Sequence, residues 1–280
     1  MKIPTLKIAV AVLSAAIALA LLLARFRQFV PDSAAAERLF REAQKLLQEN
    51  RIYDAEIKLE KAAALDPEEP EYVTAIAEVL AREGDYEGAI KKYLMVAEIS
   101  PEDSKPLYQA GMLSLKSGDR ERAREFFSRA EKRSPDNIPI LYQLGFLATL
   151  RGELDPAAEI YRRILALSFS EVEALRNLGF ISAQKDDLAL AESMYRKALE
   201  LKPNYAEVYN DLGNLLVIRE NYPAARDAFR KALELKPDYP DALENLAFVT
   251  RRLSATPAAV PAVSAGSTAD SRPPSPAAPR

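Results

Sequence analysis

Between residues 36 and 239, apolar positions recur with a period of 34. One column is invariably alanine: Ala55, Ala89, Ala123, Ala157, Ala191 and Ala225. Four residues later stands a large side chain: Leu59, Tyr93, Phe127, Tyr161, Tyr195 and Phe229. Twelve residues before each alanine stands a small one: Ala43, Ala77, Gly111, Gly145, Gly179 and Gly213. Twelve residues after it comes proline, at Pro67, Pro101, Pro135, Pro203 and Pro237, with Phe169 in the vacant place. Positions four apart share a helix face. The pattern therefore predicts two helices per period. Gly84-Asp85, Gly118-Asp119, Gly152-Glu153, Asp186-Asp187 and Glu220-Asn221 form the turns between them. The small residues let the two helices approach closely, and the large residue is expected to fill the space between repeats. Proline ends the second helix because it cannot continue one. Its loss at Phe169 is expected to let the helix pair at 157–185 run on with a different bend.

These columns resemble the tetratricopeptide repeat (TPR). The resemblance covers residues 36–239 as six units. Ala198-Leu199-Glu200-Leu201-Lys202-Pro203 and Ala232-Leu233-Glu234-Leu235-Lys236-Pro237 look like its consensus. It implies an all-α, right-handed α-solenoid of helix pairs at 36–69, 70–103, 104–137, 138–171, 172–205 and 206–239. The first unit departs from the pattern at Glu42, where an apolar residue is usual; this fits an end repeat with one face open. Residues 240–253 restart the first-helix pattern with Leu243, Leu246 and Ala247 and look like the family's solubilising cap helix.

The resemblance also implies a concave groove lined by first helices, at the second, fifth, ninth and twelfth positions of each repeat. On this sequence the groove candidates are Tyr108, Met112, Leu115, Tyr142, Phe146, Arg176, Asn177, Phe180, Asn210 and Asn214. Aromatic and methionine side chains make an anchoring centre for a partner. The asparagines at the other end resemble the groove of repeats in protein O-linked sugar transferases, where amides hold a peptide backbone. A carboxylate clamp is not expected, because the fifth positions offer no lysine. The expected ligand is an extended or helical peptide across repeats 3 to 6. Some of these side chains instead fit a second reading, packing between neighbouring helices.

The ends of the chain differ from its middle. Ile8 to Ala24 is an apolar run interrupted only by Ser14. As a helix it covers about 25 Å, at the short end for a bilayer core of about 30 Å. It is expected to be a signal anchor, the single transmembrane helix of a chain with 31–35 as linker. Cleavage at Ala16-Ile17-Ala18 or Ala18-Leu19-Ala20 is the alternative, although Leu21-Leu22-Leu23 continues the apolar run beyond either site. Lys2 and Lys7 precede the run and Arg25 and Arg27 follow it, so the flanking charges nearly balance. A bacterial inner-membrane protein with a periplasmic repeat domain is expected, and a cytoplasmic one stays open. Residues 254–280, rich in Pro, Ala and Ser, are expected to be disordered, because they cannot bury enough surface to order themselves.

Net charge narrows the partners. It is −3 overall, with +4 over 1–30 and +1 over 254–280, which leaves −8 for the middle. An acidic middle argues against nucleic acid. The chain has no cysteine and no histidine, which removes disulfides, thiolate metal sites and the commonest general base and zinc ligand. No enzyme activity, metal or cofactor is expected. The expected function is a protein–protein interaction scaffold at the membrane, aiding assembly of an envelope complex. A secreted adaptor released by cleavage, or an adaptor of a polysaccharide-export or glycosyl-transfer system, are the alternatives.

Overall fold

The computed structural model describes residues 31–254. The proposed anchor at 8–24 and the tail from 255 onward lie outside the described residues. Ser254 belongs to the last helix rather than to the tail. Among the described residues there are thirteen α-helices and no strands, and none of these helices is long and apolar enough to cross a membrane.

The chain divides into two compact units, 1–102 and 103–280. The first holds α1 (Ser33–Gln48), α2 (Ile52–Leu65), α3 (Pro70–Glu83) and α4 (Tyr86–Ile99). The second holds α5 (Lys105–Lys116), α6 (Arg120–Arg133), α7 (Ile138–Leu150), α8 (Leu154–Leu167) and α9 (Val172–Gln184), then α10 (Leu188–Leu201), α11 (Ala206–Ile218), α12 (Tyr222–Leu235) and α13 (Pro240–Ser254). Within each unit, consecutive helices pack as antiparallel pairs, and each pair leans on the next.

Each pair turns at one left-handed residue on the repeat grid: Asn50, Gly84, Gly118, Gly152, Asp186 and Glu220, with φ between 55° and 88°. Glycine takes this conformation freely, and Asn and Asp tolerate it. The next residue often caps the second helix. The side chains of Asp85, Asp119, Asp187 and Asn221 each accept from the backbone N–H three residues on.

The small column is explained by the large one. A Cβ added at Gly111 would lie 2.5 Å from the Phe127 ring, and one at Gly179 would lie 2.7 Å from the Tyr195 ring. Gly145 stands under Tyr161 and Gly213 under Phe229 in the same way. The rings therefore fill the gap between the two helices of one repeat, not the space between repeats as the sequence suggested. Tyr161, Phe127 and Phe229 are among the largest fully buried side chains.

The missing proline changes nothing in helix length. Four residues separate α8 from α9, as they separate α6 from α7 and α10 from α11. In the proline-bearing repeats, the residue before proline ends the helix in an extended conformation, with φ from −121° to −142°. Ser168 adopts the same conformation (φ −148°) with no proline after it. Its hydroxyl donates to Glu171 at 3.1 Å, and the turn is held by burial of Ala174, Leu175 and Leu178 on the next helix.

Helix α13 departs from a polar cap. It buries Ala242 and Val249, yet Leu243, Phe248 and Leu253 are 39–50% exposed.

Candidate peptide-binding face

The first helices of unit 2 are α5, α7, α9, α11 and α13, and side-chain hydrogen bonds join α9 to α11 and α11 to α13. Arg176 Nε donates to Asp211 Oδ2 at 2.6 Å, linking α9 to α11. Asn245 Nδ2 donates to Asn210 Oδ1 at 3.0 Å, linking α13 to α11. Tyr108 on α5 lies beside Gln143 on α7, although neither the Tyr108 hydroxyl nor Gln143 Oε1 has a hydrogen-bond partner in its buried place. In repeat numbering, the fifth position of one unit reaches the sixth position of the next.

This geometry sorts the sequence candidates. Arg176 is turned to Asp211, and its guanidinium also lies 5.8 Å from the centre of the Tyr205 ring. Burial pulls the Arg176 guanidinium down, but the Asp211 carboxylate outweighs it and keeps the group firmly protonated. Burial also pushes the Asp211 carboxyl up, and Arg176 draws it part of the way back. Asn210 is buried and engaged by Asn245. Asn177 is likewise buried. These amides therefore do not present themselves to a peptide backbone, as the sequence had suggested.

The aromatic candidates divide as well. Tyr108 is half-buried, its ring tilted against Phe127 at 5.7 Å between centres. Burial raises its phenol above the ordinary range. Tyr142 packs edge-on against Tyr161 at 6.1 Å. Its hydroxyl donates to Glu171 Oε2 at 3.3 Å. Burial, then the Glu171 charge, holds the Tyr142 phenol well above its usual range. Phe180 is half-buried against the cluster of Leu141, Tyr161 and Ile181.

Met112, Leu115, Phe146 and Asn214 are half-buried on the same first helices. Met112, Phe146, Phe180 and Asn214 all occupy the ninth position of their repeats, one turn beyond the fifth. That row runs on past the sequence candidates. Phe248, one repeat beyond Asn214, is its next member on α13; it is 39% exposed, with the Arg252 guanidinium 5.5 Å from its ring centre. The grid alone could have found it. Gln143, Asp211 and Asn245 were also missed in the columns, and their signal is a polar residue in the sixth place of an otherwise apolar first helix.

The acidic residues at the start of these helices are partly paired. Glu173 lies 3.7 Å from Lys202, and Glu207 lies 3.5 Å from Lys236. Lys202 and Lys236 also sit over Tyr205 and Tyr239, at 4.2 and 4.9 Å from the ring centres.

Stacked helix pairs with a ladder of polar links and a row of half-exposed apolar side chains define a repeat scaffold for protein interactions. The comparisons name its family. The tetratricopeptide repeat matches at residues 40–104, 108–171 and 210–271, and again at 170–238; the chain belongs to the tetratricopeptide-repeat family. No curated protein matches it. Solved structures share the fold. One is YrrB, a TPR protein with an unusual peptide-binding site, with 22% identity, 66% of this chain and 96% of that chain covered, and a TM-score of 0.58. Another is MamA from Desulfovibrio magneticus RS-1, with 23% identity, 61% and 97% covered, and a TM-score of 0.56. A third is pilF of Pseudomonas aeruginosa, with 17% identity, 77% and 98% covered, and a TM-score of 0.59.

Proposed function

We propose that this TPR protein is a membrane-anchored scaffold whose ninth-position row, Met112, Phe146 and Phe180, holds a peptide of a partner protein. One observation carries the reading: the fifth-position side chains are turned into the fold, Arg176 and Asn210 tying first helices together and Tyr108 and Tyr142 packing on Phe127 and Tyr161, whereas the ninth-position row stays half-buried at one residue per repeat. Aromatic and methionine side chains bury large apolar area at modest entropic cost, which suits them as anchors. The likeness to YrrB, itself a peptide-binding TPR protein, supports a peptide as the ligand. Asn214, the next member of the row, adds an amide for a ligand backbone.

The apolar run at 8–24, outside the described residues, is the anchor in this reading, and the repeats work beside a complex of the bacterial envelope. Alkaline phosphatase fused after Leu253 is active if the repeats are periplasmic. The mature N-terminus, read by mass spectrometry, separates this anchored form from a cleaved, secreted adaptor.

A photoreactive residue at Phe146 captures the partner in this scheme. The triple variant Met112→Ala, Phe146→Ala, Phe180→Ala then loses the captured partner in a pull-down while its helical circular dichroism is unchanged. Full retention of the partner by a folded triple variant refutes the assignment.

A further inference from the structure

Among the described residues, helix α13 is half of a repeat. In the repeats at 104–137, 138–171 and 172–205 the fourth position of the first helix is covered by the rest of its repeat: Leu107, Leu141 and Leu175 are at most 1% exposed, and Tyr209 in the next repeat is half-buried. The equivalent Leu243 is 50% exposed. The eighth position shows the same contrast. Gly111, Gly145, Gly179 and Gly213 each lie under a ring from the second helix, whereas the equivalent Ala247 is exposed. Leu243, Ala247, Thr250 and Leu253 fall on one face of α13 by helical spacing, with Leu246 at its edge packed against the cluster of Ala225, Phe229 and Val249. The face opposite the stack is thus apolar, where an end repeat needs a polar one.

We propose that this face docks against α13 of a second copy, antiparallel, about a two-fold axis near Ala247. Two features of α13 fit that occupant. The small Ala247 at the centre allows close approach of two helices. The charges are also self-complementary. Glu244 and Arg251, both exposed, lie two turns apart and flank Ala247 on one side. In an antiparallel pair, Glu244 of each copy comes opposite Arg251 of the other, while a parallel pair sets like against like. An isologous contact needs a surface complementary to itself, and α13 carries one. Phe248 borders this contact, one turn from Glu244, but Met112, Phe146 and Phe180, which carry the peptide-binding reading, lie on other helices, so the two readings are tested separately.

The chain has no cysteine, so a single introduced one reports this contact cleanly in the full-length protein in its membrane. Ala247→Cys gives a disulfide-linked dimer under mild oxidation, and Ala64→Cys, at an exposed place on α2, does not. In detergent, Glu244→Arg weakens dimerisation about tenfold by setting arginine against Arg251 at both ends, and Glu244→Arg with Arg251→Glu restores it. A chain that stays monomeric, equal crosslinking at both sites, or a charge exchange that fails to restore the dimer overturns the proposal. So does crosslinking that appears only after deletion of residues 255–280, which assigns the face to the chain's own tail.

Discussion

Arg176 and Asp211 lie on different repeats, yet their side chains stand 2.6 Å apart and only 15% exposed. The pair joins α9 to α11, and each partner is the other's compensation for burial. Removing one partner strands a buried charge, which costs about 3–5 kcal/mol. Asp211→Ala is therefore expected to lower stability by about 3 kcal/mol. The double variant Arg176→Leu, Asp211→Leu is expected to stay within about 1 kcal/mol of the parent, because apolar packing replaces a buried pair at little cost. Urea unfolding followed by circular dichroism measures both, and a mild Asp211→Ala would mean that the pair is solvated.

The columns at Ala55, Gly111 and Phe127 were legible because a packing rule repeats at a fixed interval, so six copies reinforce one another. What they packed against was less legible. Phe127 follows Gly111 at the same offset in every repeat, and periodicity alone cannot say whether a ring faces its own repeat or the next. The direction of a fifth-position side chain was also hidden. Asn210 reads as a groove residue until Asn245 is seen to meet it, and that meeting depends on helix rotation. Ser168 shows a third limit. Proline marks the end of a helix in the other repeats, yet the turn is held by packing on both sides and persists without it.

Tyr108 offers a case where less polarity should help. Its hydroxyl is buried, and neither it nor Gln143 Oε1 has a hydrogen-bond partner. A buried unsatisfied polar group costs about 1–3 kcal/mol. Tyr108→Phe keeps the ring against Phe127 and removes the hydroxyl. It is expected to raise stability by about 1 kcal/mol. A loss of similar size in urea unfolding would show that the hydroxyl is satisfied in solution.

The helical glycines should rank by the room above them. Alanine is the better helix former by about 1 kcal/mol, but its Cβ must fit. At Gly111 that Cβ meets the Phe127 ring at 2.5 Å, and at Gly145 it meets the Tyr161 ring at 3.0 Å. Overpacking a tight core costs about 1–3 kcal/mol. Gly111→Ala is expected to lose about 1–2 kcal/mol, and Gly145→Ala to be close to neutral because propensity offsets a smaller shift. Equal effects in thermal unfolding would mean that Phe127 moves aside freely.

Alkaline pH should unfold the protein through its tyrosines. Burial pushes the Tyr93 phenol up to about 12, in unit 1, and the Tyr239 phenol up to about 12, in unit 2. Burial pushes Tyr142, Tyr161 and Tyr195 in the same direction. An unfolded tyrosine ionises near pH 10. Between about 10 and 12 the folded chain therefore holds protons that the unfolded chain has lost, so stability falls as pH rises. It is fully present below about 10 and is lost on the way to 12, by about 3 kcal/mol for each phenol displaced that far. Tyrosinate absorbance from the buried rings should then rise together with the loss of helical circular dichroism. Tyr93→Phe and Tyr239→Phe should each flatten the fall. Complete ionisation near pH 10 with the helices intact would show that these rings are open to solvent.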